Sequence, residues 1–268
     1  MNLRVEKLSF SYYKNLPVLH NINIEIGPGR VTGIFGPNGC GKSTLLRCIN
    51  GALRPQCGRI LIGTDSIDVL SLREIARRIA VVPQETLSNT PFTVFEIVMQ
   101  GRFSHWNMWG HVSAEDVVSV NKSLERVSAI HLMHSKFDEL SGGERQRVMI
   151  ARAIAQDTRI LLMDEPANHL DVSHQVEIYN LIRKLAFEDY TVLMVCHDLF
   201  FAPMFIDDAI LMKKGEIFSK GNIRGVLSNA NLSKVFGLNL SLCWPSKGTV
   251  TAFVDSMENP YFSTSYHI

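Results

Sequence analysis

The chain has 268 residues, with 27 Lys and Arg against 26 Asp and Glu, for a formal charge of +1. Hydrophobic residues make up 46% and charged residues 20%, which suits a packed core and excludes a disordered or collagen-like chain. The near-neutral balance leaves no global electrostatic footprint for nucleic acid, and no local segment makes a case for one.

The five cysteines are Cys40, Cys48, Cys57, Cys196 and Cys243. Their number is odd and no C-x-x-C pair occurs, which argues against a disulfide framework or a zinc ribbon and fits a reducing compartment. The amino-terminal MNLRVEKLSF alternates charged and apolar residues and does not read as a signal peptide. No apolar run approaches the roughly 20 residues that a membrane helix needs.

In chain order, the first stretch reads as β-structure. Leu3 and Val5 alternate in one phase, while Leu8 and Phe10 fall in the other, so a bulge is expected between the pairs. Ile22, Ile24 and Ile26 alternate with polar residues, and Pro28-Gly29 then marks a turn. Residues 31–35 predict a short strand that runs into a Gly-rich loop. A helix follows with Leu45, Leu46 and Ile49 on one side. Further buried strands are predicted at 60–62, 79–82, 160–164, 191–196 and 209–212, separated by helical segments, which points to an α/β layered core. From about residue 85 to 156 no convincing strand appears. Helices are expected there at 93–99, 114–127 and 143–155, forming an α-helical insertion. The last stretch, 241–268, carries few charges, with Tyr261, Phe262, Tyr266 and a Pro245 turn. A short hairpin at 249–254 is expected within it.

Three motifs carry chemistry. Gly36-Pro37-Asn38-Gly39-Cys40-Gly41-Lys42-Ser43 matches G-x-x-x-x-G-K-[ST] between a predicted strand and helix. Glycines let backbone N–H groups face phosphate, the helix amino end adds a positive dipole, Lys42 supplies a point charge, and Ser43 can ligate Mg²⁺. Next, Ile160-Leu161-Leu162-Met163-Asp164-Glu165 is an apolar strand ending in two acids, which suits Mg²⁺ coordination by Asp164 and polarisation of water by Glu165. Finally, Leu140-Ser141-Gly142-Gly143-Glu144-Arg145-Gln146 opens a helix. Ser141 and Glu144 have capping-box spacing, and the glycines expose a second set of N–H groups to an anion.

LSGGERQ resembles the signature of ATP-binding cassette (ABC) ATPases, and the motif order matches that family over residues 1–240. The resemblance implies a P-loop NTPase cassette with an antiparallel β subdomain at its amino end. Its core would comprise 1–84 and 157–240, with the helical subdomain at 85–156 and a tail of unassigned role at 241–268. It implies ATP and Mg²⁺ as ligands. Tyr12 would stack on adenine, with Tyr13 as the competing choice, and Gly36 to Thr44 would form the Walker A loop. Gln84 resembles the Q-loop glutamine that senses Mg²⁺ and the γ-phosphate. Asp164 and Glu165 resemble the Walker B aspartate and the catalytic glutamate. Asn168-His169-Leu170-Asp171 resembles the D-loop and His197 the switch histidine. Catalytic roles fall to Glu165, His197, Gln84 and Lys42, and metal binding to Ser43, Gln84 and Asp164. Ser141, Gly142, Gly143, Glu144 and Asp171 would meet nucleotide across a head-to-tail homodimer.

Finer matches, Gly101-Arg102-Phe103-Ser104-His105 and Leu170-Asp171-Val172-Ser173-His174-Gln175, resemble ATPases of iron-siderophore, haem and vitamin B12 importers. Close relatives of these carry oxyanions. That resemblance implies two integral membrane permease subunits, an indirect substrate-binding protein, and a place at the cytoplasmic face of the membrane. A soluble iron–sulfur assembly ATPase and a nucleotide-dependent scaffold are the alternatives. Trp106, Met108 and Trp109 read as local packing or as part of a docking groove for the permease. Cys40 reads as a tolerated small residue or an oxidisable one.

Overall fold

The computed structural model describes residues 1–13, 16–84, 90–106, 110–199, 201–237, 240–243 and 251–254. Strands β1 (Leu3–Tyr13) and β2 (Leu16–Ile26) pair antiparallel. The register shifts between Val5 and Leu8, where Lys7 takes φ 50°. This is the expected bulge. It brings Leu3, Val5, Leu8 and Phe10 to one buried face despite their opposite phases. β3 (Arg30–Phe35) leads through the Gly-rich loop into α1 (Lys42–Ile49). β4 (Cys57–Ile62) and the two-residue β5 (Asp65–Ser66) complete a four-stranded antiparallel sheet ordered β2-β1-β4-β5.

After α2 (Leu72–Ala76) comes β6 (Ile79–Val82). The described part of the insertion holds α3 (Val94–Met99), α4 (Ala114–Arg126) and α5 (Gly142–Ala155), with short 3₁₀ turns between them. Thr93, Ser113 and Ser141 each close a capping box at the start of these helices, which explains why they begin where they do. The core resumes with β7 (Ile160–Asp164), α6 (Val172–Phe187), β8 (Thr191–Val195), α7 (Ala202–Phe205) and β9 (Asp208–Lys213). β10 (Glu216–Asn222), α8 (Ile223–Val226) and α9 (Asn229–Phe236) follow.

The second sheet has six strands ordered β10-β9-β3-β8-β7-β6. Its strands run parallel except β10, an antiparallel edge that the sequence pattern did not anticipate because Glu216 to Asn222 is largely exposed. The strands of this sheet other than β10 read as continuous apolar runs because both faces are covered. Leu161, Met163, Val192 and Met194 join one core, under α3 to α6, while Ile160, Leu162, Leu193 and Val195 join the other. That second core also holds Leu45, Leu46 and Ile49 of α1 and the buried face of β1 and β2, so α1 lies between the two sheets. Each such fully buried Leu, Ile or Val contributes roughly 1.5–3 kcal/mol.

The tail departs from expectation. β11 (Leu240–Cys243) pairs antiparallel with β12 (Thr251–Val254). One strand falls within the expected 249–254, but its partner lies upstream at 240–243. Among the described residues, no helix is long and apolar enough to cross a membrane.

Candidate functional site

The sheet order sets the site. β3 and β7 flank β8, so the loop after β3, the acids at the end of β7 and the segment after β8 meet at one carboxyl edge. The loop is held by its backbone. Gly36 has φ 149°, and a Cβ there would lie 2.4 Å from the Met212 carbonyl oxygen, so no other residue fits without moving β9. Gly41 caps α1 in the left-handed region and no side chain bonds the helix amino end. Lys42 is buried, and its Nζ donates to the carbonyls of Gly36 at 2.8 Å and Pro37 at 3.1 Å. The ammonium is thereby centred within the loop.

A cavity of about 710 Å³ opens over this loop. Asn38, Gly39, Gly41, Lys42, Ser43 and Thr44 line its floor, and Tyr12 stands at its side. Tyr12 is half exposed, packs edge-on against Phe10 at 4.9 Å, and places its hydroxyl 3.3 Å from Thr44 Oγ1. Tyr13 is exposed and is not among the residues that line the cavity. Val18 also lines the cavity and was not anticipated.

Ser43 Oγ donates to Asp164 Oδ1 at 3.2 Å. Burial pushes the Asp164 carboxyl above its ordinary value, with the Ser43 hydroxyl pulling the other way and the Glu165 charge adding to the rise. Glu165 follows the strand with φ 52°, and its N–H donates to the Val195 carbonyl at 3.2 Å. That tie fixes the end of β7 against β8. The Glu165 carboxylate is nearly buried and surrounded by donors. His197 Nε2 lies 2.5 Å from Oε1, Gln84 Nε2 donates to Oε2 at 2.8 Å, and Asn168 Nδ2 donates to Oε2 at 2.6 Å. Gln84 is thus spent on the carboxylate, whereas the resemblance places it toward Mg²⁺.

Cys40 is buried beside the loop. Burial pushes its thiol up, with Lys42 acting in the opposite direction. A thiol kept from ionising is a poor nucleophile.

The second Gly-rich motif does not reach this cavity. Ser141, Gly142 and Gly143 lie at the start of α5 and do not line it. Ser141 Oγ and the Glu144 carboxylate bond one another at 2.6 Å and cap each other's backbone N–H groups. Asp171 is also elsewhere. It caps α6 by accepting from the His174 N–H at 3.0 Å, and it meets His174 Nδ1 at 2.8 Å. Those bonds, with the Ser173 hydroxyl, hold its carboxyl down to about 2. The first turn of α6 packs on the second motif: a Cβ on Gly143 would lie 2.4 Å from the His174 ring. Of the candidate docking residues, Met108 and Trp109 lie outside the described residues. Trp106 packs against the core and stacks edge-on with the exposed Phe103 at 4.4 Å.

Residues 19–168, more than half of the chain, match the profile described as ABC transporter. The chain belongs to the ABC transporter family. It is an ATP-binding cassette of the kind that binds and hydrolyses ATP. It is 36% identical to the iron(3+)-hydroxamate import ATP-binding protein of Bacillus subtilis over 90% of each chain. It is likewise 36% identical to the ferric enterobactin transport ATP-binding protein of Escherichia coli, over 88% of this chain and 87% of that one. Among solved structures, an inward-facing metal-chelate type ABC transporter shares 29% identity at a TM-score of 0.81, covering 94% of this cassette and 98% of that chain.

The signal that sequence reading of the cassette missed is Asn168. The resemblance makes it only a member of the D-loop, yet its amide reaches the candidate catalytic carboxylate directly. Its position three residues after Glu165, in a tight turn closed by Asn168 N–H to the Glu165 carbonyl at 3.1 Å, is the pattern that could have found it.

Proposed function

We propose that this cassette powers an importer for a metal chelate such as an iron-siderophore or haem, for cobalamin or for a related oxyanion. It would act as a head-to-tail homodimer on two integral membrane permease subunits at the cytoplasmic face of the membrane, served indirectly by a substrate-binding protein. The names of the two curated relatives support the cargo class. The observation that carries the mechanistic part is the Glu165 carboxylate, held by His197 and Gln84 at the edge of a cavity floored by Lys42 and its loop.

In this reading Tyr12 stacks on adenine, and the N–H groups of the Walker A loop with Lys42 neutralise the phosphates. Glu165 orients the attacking water and takes its proton, while His197 fixes the carboxylate and contacts the γ-phosphate. A hydroxyl and a carboxylate side by side are hard oxygen donors that fit Mg²⁺, so Ser43 and Asp164 would hold it, with Gln84 at hand. Its positive charge would offset the burial that pushes the Asp164 carboxyl up. When bound, the cation supplies charge neutralisation on the phosphates. Ser141 to Glu144 on α5, away from this cavity, would close over the nucleotide of a second copy. Closure then needs both nucleotides, and hydrolysis resets it.

The test is Glu165→Gln in the full chain, purified with whatever membrane subunits accompany it. The variant is expected to bind ATP, remain dimeric with it, and lose turnover by about 10²–10⁴-fold. Turnover at the parent rate would remove Glu165 from the reaction, and co-purification with soluble iron–sulfur assembly partners in place of permeases would remove the importer reading.

A further inference from the structure

We infer that Asn168 is a positioning residue for the Glu165 carboxylate, fixing its orientation so that it faces the cavity; this rests on the reading of Glu165 as the base. Asn168 Nδ2 donates to Glu165 Oε2 at 2.6 Å. Its other end is committed, because Asn168 Oδ1 accepts from the His169 N–H at 3.0 Å. A flipped amide would set its oxygen against the carboxylate oxygen and its NH₂ against an N–H, so the network admits one orientation.

The backbone reinforces this geometry. Glu165 and His169 both hold positive φ, at 52° and 61°, and the turn between them is closed by Asn168 N–H on the Glu165 carbonyl. Two residues of positive φ at either end of this five-residue segment hold Asn168 against the acid. The side chain is exposed and lines the cavity, so it is not buried as core.

The division of donors on Glu165 also has a chemical consequence. His197 occupies Oε1, whereas Gln84 and Asn168 share Oε2. His197 comes from the segment after β8, and Gln84 sits just ahead of residues 85–89, at the entry to the helical insertion. Asn168 alone among the three lies in the same turn as the acid. It therefore supplies a fixed donor whatever the other two do. Two donors on one oxygen polarise the carboxylate and direct a remaining lone pair outward into the cavity.

Replacement by aspartate is the sharpest probe. Asn168→Asp keeps size and shape but puts an acceptor-only group where the amide donates. In steady-state ATPase assays of the full chain with Mg-ATP, Asn168→Ala is expected to lower kcat roughly ten- to hundred-fold with KM little changed. Asn168→Asp, isosteric but without the donor, is expected to lower kcat at least as far with KM again little changed, a kcat-specific loss at preserved shape that a merely structural role would not produce. Binding of a fluorescent ATP analogue, measured alongside, should match the parent in both variants and reports folding. Parent kcat in both variants would overturn the inference. Glu165→Gln run in parallel separates the failures: if that variant also turns over normally, the reading of the base has failed, and if it is inactive, only the role of Asn168 has.

Discussion

Two helices in this cassette begin beside paired or clustered glycines, and their amino ends follow opposite plans. α1 starts at a left-handed Gly41 with no side-chain cap, and its loop faces a cavity of about 710 Å³. α5 starts behind Ser141 with a complete capping box, away from that cavity. The free N–H groups of a helix amino end must go somewhere. In α1 no side chain caps them, with Lys42 beside them, and in the proposed function they meet phosphate. In α5 two are satisfied internally, which gives the helix a stable start of its own. In that reading one terminus is an anion site within the single chain, and the other gains its role only against the second copy of the proposed dimer.

The largest effects should come from the first terminus. Lys42→Ala removes the ammonium that Gly36 and Pro37 hold, and should both weaken ATP binding and cut turnover by roughly 100-fold or more. Ser141→Ala should cut turnover too, yet leave ATP binding by the single chain near the parent value, in nucleotide titration beside phosphate release. Equal loss of binding in the two variants would break the comparison.

A smaller effect separates the two glycines of the second motif. Alanine in a helix ordinarily stabilises relative to glycine. Gly143→Ala should instead destabilise by about 1–3 kcal/mol in chemical denaturation, because its Cβ would lie 2.4 Å from the His174 ring. Gly142→Ala should be close to neutral, since it meets only the flexible end of Leu170 at 3.3 Å. A neutral Gly143→Ala would mean that the first turn of α6 does not press on the second motif.

The smallest effect tests the same contact from the other side. The Asp171 carboxyl sits at about 2 in the folded chain, below its ordinary 3.8, because the His174 N–H, the His174 ring and the Ser173 hydroxyl bond its charged form. A lowered carboxylate stabilises the fold above its unfolded value, and the contribution fades as pH falls toward the folded one. The gap in denaturation midpoint between the parent and Asp171→Ala should therefore be full at about pH 7 and narrow from about pH 4 toward about pH 2. A gap that stays constant through this range would mean that the bonds to His174 do not depend on the charge.

Much of the site was readable along the chain. The Gly36-to-Ser43 motif between a strand and a helix, the apolar run ending in Asp164 and Glu165, and the Ser141 and Glu144 capping pair are local patterns. Local backbone chemistry dictates such patterns wherever they occur. The strand runs were equally legible, because side chains that alternate between two covered faces leave no polar position. β10 was not, since its residues are largely exposed and carry no such pattern. The tail hairpin was misplaced because pairing between Leu240–Cys243 and Thr251–Val254 depends on register across a loop, which residue type alone does not specify.

By itself, then, the sequence determined the phosphate loop, the two acids, the bulge between Val5 and Leu8 and the division into an α/β core with a helical insertion. These follow from spacing within a few residues of one another. Only the tertiary structure decided that Gln84, Asn168 and His197 converge on one carboxylate, that Tyr12 and not Tyr13 borders the cavity, and that the second glycine motif lies outside it. Gln84 is 81 positions from Glu165. Their contact exists because β6 lies beside β7 and because Glu165 turns back at a positive φ, and neither strand order nor that turn is written in the spacing of the motifs.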